Sequence, residues 1–190
     1  MLEIDKARLN LIRTLAERSV AGKIGRTALM KYMYFLQTLR DVPLEYHFSM
    51  YSYGPFDSDV LSDLSSAEAL GLVSTTYVTY AGGYGYEIRP TASEPSKSKE
   101  TQQFLTKVQD DIDWLFKQFG SLNSGQLELA STIIFVDQEF SEAGSYDDSE
   151  EIIRLVQTIK PHFSLDQVRK SFENLLAKGV LKSVSHNIAA

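Results

Sequence analysis

The stretch YHFSMYSYGPFDSDVLSDLSSAEALGLV, Tyr46–Val73, decides how this chain is read. Tyr46, Phe48 and Met50 alternate with His47, Ser49 and Tyr51, the period of two that a strand requires. Gly54-Pro55 is a turn signal, and Asp57 or Ser58 is placed to cap a helix. Asp57 and Asp59 complement the positive end of that helix. Val60, Leu61, Leu64 and Ala67 give it an apolar stripe, and Gly71 is a natural stop. The expectation is strand, tight turn, helix.

Toward the N-terminus, residues 4–18 predict a helix with Leu9, Ile12, Leu15 and Ala16 on one side. Gly22 and Gly25 interrupt it. Thr27 is the expected cap of a second helix to about Arg40, apolar on several sides through Leu29, Met30, Met33, Phe35, Leu36 and Leu39. Pro43 ends the connection. Past Val73, the runs Ser74–Tyr80 and Tyr84–Arg89 flank Gly82-Gly83, a hairpin signal. Pairing across it puts Tyr77, Thr79, Tyr84, Tyr86 and Ile88 on one face, which is expected to be packed. Thr76, Val78, Tyr80, Glu87 and Arg89 fall on the other.

The order helix, helix, strand, helix, strand, strand predicts an α+β fold. Its N-terminal module, residues 1–92, reads as winged helix–turn–helix-like with a β-hairpin wing. The polar run Thr91–Lys99 reads as the boundary. Residues 93–190 then form a helical half packed on the module as one compact unit. Phe104, Val108, Ile112, Leu115 and Phe119 trace one helix of roughly 20 residues. Further helices are expected from 124 to about 138, at 149–159 and from 165 to about 178. Asn123 with Gln126, and Ser164 with Gln167, resemble capping boxes.

Composition narrows the function classes. The 190 residues are 43% hydrophobic and 23% charged, ordinary values for a globular chain. No apolar run is long enough to span a bilayer, so no membrane partner is expected. The first residues lack the basic start and apolar core of a signal peptide, and a cytoplasmic location is expected. There is no cysteine, which excludes disulfides, thiol nucleophiles and Cys-based metal sites. A net charge of −6 argues against nonspecific nucleic-acid binding, where phosphate attraction dominates.

Catalytic chemistry finds no motif. His47, His162 and His186 are far apart, and no serine lies in a nucleophile-elbow context. Gly22-Lys23-Ile24-Gly25-Arg26-Thr27 follows a helix and lacks P-loop spacing, so it reads as a helix-to-helix loop. Lys23 and Arg26 remain candidates to touch an anionic group there. The acidic clusters Asp110-Asp111-Asp113 and Asp147-Asp148-Glu150-Glu151 do not match a calcium loop and read as solvated charge. No catalytic residue, metal or cofactor is expected.

The tyrosines point to recognition. Six of the ten lie between Tyr51 and Tyr86. Tyrosine suits contact surfaces because it offers area at low entropic cost and a polar tip. Tyr51, Tyr53, Pro55, Phe56, Tyr80 and Tyr84 are the candidate protein-binding residues. In a DNA-binding winged helix the third helix usually enters the major groove. Here it carries Asp57, Asp59, Asp63 and Glu68 and no Lys or Arg from Asp57 to Leu70, which would repel phosphate. If nucleic acid is bound, Lys160, Arg169, Lys170, Lys178 and Lys182 are the better candidates.

Four runs carry a resemblance. Arg26–Gln37 resembles the K-L-x-Y-F/L-L-Q helix of the YwgA-like proteins and the related Panacea-type antitoxin domains. Tyr51-Ser52-Tyr53-Gly54-Pro55-Phe56 looks like their Y-x-Y-G-P-[YF] turn. Leu127–Ile133 resembles their E-L-x-x-T-I helix, and Lys160-Pro161-His162-Phe163-Ser164 their K-P-x-F-[ST] helix start. The resemblance spans most of residues 7–182 and is nearer the YwgA-like branch. It brings no catalytic residues. It implies a non-enzymatic bacterial regulator that is antitoxin-like and acts by protein–protein binding, with toxin neutralisation as its most concrete form. The alternative is a DNA-binding transcriptional regulator using the basic C-terminal helix. The partner is expected to be a protein, and the oligomeric state is left open.

Overall fold

The computed structural model describes residues 3–80, 83–92, 98–142 and 149–182. Over these the chain is α+β: eight helices and a small antiparallel sheet, mostly helical. No helix among the described residues is long and apolar enough to cross a membrane.

Helix α1 (Glu3–Arg18) buries Leu9, Leu11, Ile12, Leu15 and Ala16. A 3-10 turn (Val20–Gly22) leads into strand β1 (Ile24–Gly25), which the periodicity does not reveal because two residues have no period. Helix α2 (Arg26–Arg40) starts two residues earlier than a cap at Thr27 predicts, with Gly25 at the cap position and no side-chain cap bond. Leu29, Met30, Met33, Phe35 and Leu36 are buried and Leu39 half-buried, and Phe35 stacks on Phe119 with ring centroids 4.2 Å apart.

The decisive stretch differs in detail from its reading. Burial alternates from Val42 to Tyr51, as the period of two predicts. Only Ser49–Tyr51 pairs as a strand, β2, and its partner is β3 (Gly54–Phe56). The turn is therefore at Ser52–Tyr53, and Gly54, with φ of 86°, opens the return strand. The order is strand, turn, strand, helix. Asp57 caps α3 (Ser58–Ala69) as expected, accepting from Asp59 N at 2.8 Å. Its other carboxylate oxygen accepts from His47 N, which ties the connection to the helix start.

Strands β4 (Val73–Tyr80) and β5 (Gly83–Pro90) form the hairpin, and the sheet order is β1-β5-β4. The register pairs Tyr80 with Gly83 and Thr79 with Tyr84. Gly83 thus belongs to a strand, and the loop position lies at 81–82, outside the described residues. Tyr77, Thr79, Tyr84, Tyr86 and Ile88 share a face as predicted, but that face is packed only at its base. Ile88 is fully buried and Tyr86 half-buried, whereas Tyr77 and Tyr84 are exposed.

The expected 20-residue helix is two, α4 (Lys99–Lys107) and α5 (Gln109–Phe119). They meet at Val108, whose φ of −96° and ψ of 8° leave the helical region. The 3.6 periodicity passes through the break because Val108 N still donates to Phe104 O, 3.0 Å, and Ile112 N to Val108 O, 3.0 Å. The last three helices are α6 (Ser124–Glu142), α7 (Ser149–Ile159) and α8 (Leu165–Ala177). Ser164 and Gln167 close both halves of the expected capping box on α8.

The compact units do not divide at 92/93. One comprises 1–49 and 56–124, the other 50–55 and 125–190. Helices α4 and α5 belong to the first because α4 packs on α1 and α5 on α2. Thr91, read as the start of a linker, is tied down by its N–H to Leu72 O at 3.1 Å. Ser98 caps α4, and residues 93–97 lie outside the described residues.

Candidate functional site

In the second unit the Tyr51–Pro55 turn is anchored by a buried cation. Lys160 follows α7, and its side chain is only 2% exposed. Its ammonium lies 3.0 Å from Glu128 Oε1 on α6 and 3.4 Å from Tyr51 O, and it also donates to Ser52 O. His162 Nε2 approaches the same Glu128 oxygen at 3.4 Å, from a side chain more than half exposed. A lysine so placed forms an ion pair with the carboxylate and donates to the two carbonyls, as burial of a charge demands. The backbone of the turn is thereby held down, while Tyr51 and Tyr53 stand out at 64% and 71% exposure.

The other candidate tyrosines lie in the first unit. Tyr84 is 72% exposed and stacks on Tyr77 with centroids 5.6 Å apart, and Tyr77 meets Tyr86 edge-on at 5.6 Å. Tyr80, on the opposite face, is exposed and packs against Gly85, where a Cβ would come within 3.3 Å of its ring. Its hydroxyl donates to Glu87 Oε1 at 3.3 Å. Glu87 also pairs with Lys23 and with Arg89 at 3.0 Å, and these bonds, led by Lys23, hold its carboxyl below the usual range. Arg26 lies over the Tyr86 ring at 3.7 Å. The two cations of the 22–27 loop are thus engaged by β5 itself.

Burial corrects several expectations. Pro55 is buried, so it offers no surface. Phe56 is half-buried. Lys160 is inaccessible to phosphate. Arg169 grips Glu150 with both guanidinium nitrogens, the Nη2–Oε2 arm being 3.0 Å, which raises Arg169 and lowers Glu150 from their ordinary values. Lys170 and Lys182 are exposed and Lys178 half-buried, with burial lowering the Lys178 ammonium.

The acids of α3 do not all face solvent. Asp57 is the buried cap. Asp63 is buried against Arg8 Nε at 2.8 Å and accepts from Tyr46 Oη at 2.7 Å. Glu68 accepts from Thr75 N at 2.7 Å. Only Asp59 of the four is exposed. The open stripe is Ser58, Ser62, Ser65, Ser66 and Ala69, polar and without a cation. Burial, reinforced by the Asp63 carboxylate, pushes the Tyr46 phenol far above its ordinary value, so it stays a donor. Burial also raises the Asp63 carboxyl, against the pull of Tyr46 and Arg8.

The first acidic cluster serves ion pairs: Asp111 with Arg40 at 2.8 Å and Asp113 with Arg18. Asp147, Asp148 and His186 lie outside the described residues. Among the described residues no three His, Asp or Glu side chains gather as a metal site would need. A shallow depression along α4 is lined by Lys99, Gln102, Gln103, Thr106 and Lys107.

Sequence reasoning missed Lys160 and Glu128 as a pair because they are 32 positions apart and one sat in a basic run. Residues of the Tyr51–Phe56, Leu127–Ile133 and Lys160–Ser164 runs meet at this anchor. No protein-family model matches the chain, and no curated protein matches it.

Proposed function

We propose that this chain is a non-enzymatic bacterial regulator of the YwgA-like kind, antitoxin-like, that works by binding another protein through its exposed tyrosines. The observation that carries the reading is the buried Lys160–Glu128 pair, which holds a turn whose two tyrosines are exposed. A rigid backbone beneath exposed aromatics lowers the ordering cost of binding. The convergence of the Tyr51–Pro55, Glu128 and Lys160 runs on one anchor supports the resemblance. The order α1, β1, α2, α3, β4, β5 with sheet order β1-β5-β4 supports a winged helix–turn–helix-like module.

Toxin neutralisation is the concrete form. Co-expression with the product of the adjacent gene should yield a stable complex, and Tyr53→Ala combined with Tyr84→Ala should weaken it. An unchanged affinity in that double variant sinks recognition through these tyrosines. DNA binding through 160–182 is the competing reading. With Lys160 buried and Arg169 paired, it rests on Lys170, Lys178 and Lys182, and absence of duplex binding at low salt would eliminate it.

A further inference from the structure

Among the described residues strand β4 is an outer strand, with β5 as its one neighbour in the sheet. Two hydrogen bonds fix which of its backbone groups face outward. Leu72 O accepts from Thr91 N, on the β5 side. Thr75 N donates to Glu68 Oε1 and so points away from β5. Backbone groups alternate between the two edges of an antiparallel strand. The groups of Val73, Thr75, Tyr77 and Thr79 therefore lie along the outer edge.

Glu68 occupies that edge at Thr75. Beyond it come Tyr77 and Thr79, both with exposed side chains. The eight residues of β4 include no charge and no proline. Edges of this length are usually blunted by lysine, proline or a bulge, because unpaired N–H and C=O groups template another strand.

We propose that β4 pairs with β4 of a second copy of this chain, antiparallel, across a twofold axis at Val78. In this register Tyr77 lies opposite Thr79 of the second copy, and Thr79 opposite its Tyr77. Outward groups meet outward groups, giving four backbone hydrogen bonds, and Val78 sits beside its own copy on the axis. The occupant follows from this self-complementarity and from charge. The chain carries −6 overall, yet the strands that meet carry none. Of the carboxylates beside β4, Glu68 already accepts from Thr75 N, and Glu87, opposite Thr76, is paired with Lys23 and Arg89. Tyr77 with Thr79 is a favourable aromatic–β-branched cross-strand pair. The Tyr77–Tyr84 stack then continues into that of the second copy. So short a contact makes a weak, concentration-dependent dimer. This pairing stands whether or not the tyrosines also bind a different protein.

The test is sedimentation velocity of the full chain over a concentration series, with amide exchange at Tyr77 and Thr79. The wild type should pass from monomer to dimer as concentration rises, with both amides becoming protected. Thr79→Pro removes an outward N–H without touching the β5 ladder and should leave a monomer. Thr79→Lys, which keeps the backbone intact, should do the same by placing a charge at the contact. A wild type monomeric throughout overturns the proposal and leaves the edge to a strand of another protein. A dimer indifferent to both substitutions overturns it as well.

Discussion

Replacing Lys160 by Met keeps the stem's packing and removes the ammonium. Glu128 is then left with its carboxylate about nine-tenths buried and His162 Nε2 3.4 Å away. The carbonyls of Tyr51 and Ser52 lose their shared donor in the same step. Breaking one side of a buried ion pair costs about 3–5 kcal/mol, because the remaining charge stays desolvated. For a chain of this size that corresponds to a fall in Tm of roughly 6–20 °C. Removing both charges, Lys160→Met with Glu128→Met, should recover about 2 kcal/mol of the loss, since no orphaned charge remains. The single tryptophan, Trp114, lies in the first unit, so its fluorescence is the wrong probe. Urea dependence of amide exchange in α6 and α8 reports the second unit directly. In the single variant exchange at the Tyr53 amide should speed up more than at the amides of α6, as the turn loses its tie. A loss below about 1 kcal/mol in the single variant would refute the reasoning, as would a double variant as unstable as the sum of the two.

Three further outcomes follow from the same geometry. Tyr46→Phe removes the hydroxyl that donates to the buried Asp63 and should cost about 2 kcal/mol by chemical denaturation, with Arg8 still in place. Glu87 titrates below its ordinary value, so its bonds to Lys23, Arg89 and Tyr80 stabilise the fold above the unfolded pKa and lose that effect as pH falls through the lowered one. Lys23→Met should therefore move the Glu87 carboxyl midpoint back toward the ordinary value in an NMR titration, and an unmoved midpoint contradicts the pairing. Gly179 ends α8 with φ of 67° and has open space where a Cβ would stand. Gly179→Ala should thus cost only the left-handed conformational penalty, roughly 1 kcal/mol in an equilibrium unfolding curve.

The sequence shows what short-range rules govern. Helix α7 begins and ends where its periodicity and Pro161 place it, because amphipathic spacing and a proline stop are local signals. The paired stops at Gly71 and Gly179 are legible for the same reason. Each has a φ near 67°, and the following residue's N–H reaches five positions back, Leu72 to Ala67 O and Val180 to Leu175 O. Strand β1 was not legible, since it exists only through its pairing with Glu87 and Ile88 on β5. The break at Val108 hides behind an unbroken apolar rhythm. The fate of the charges was least visible. Asp63 and Glu68 read as a repulsive helix face until Arg8, Tyr46 and Thr75 are found to occupy them, and Lys160 read as surface until Glu128 is found beneath it. Such pairings depend on which helices meet, and that information is spread along the chain.

The most direct test of the central claim is a binding titration between the chain and the product of its adjacent gene. Wild type should be compared with Tyr53→Ala, Tyr84→Ala and their combination. A tyrosine at a contact centre contributes about 2 kcal/mol, so each single variant should bind roughly tenfold or more weakly and the pair a hundredfold or more. Tyr53→Ala should keep the wild-type unfolding midpoint, because its side chain is exposed, and Tyr84→Ala should lose only its stack on Tyr77, about 1 kcal/mol or less. Equal affinities across the four would contradict protein recognition through these tyrosines.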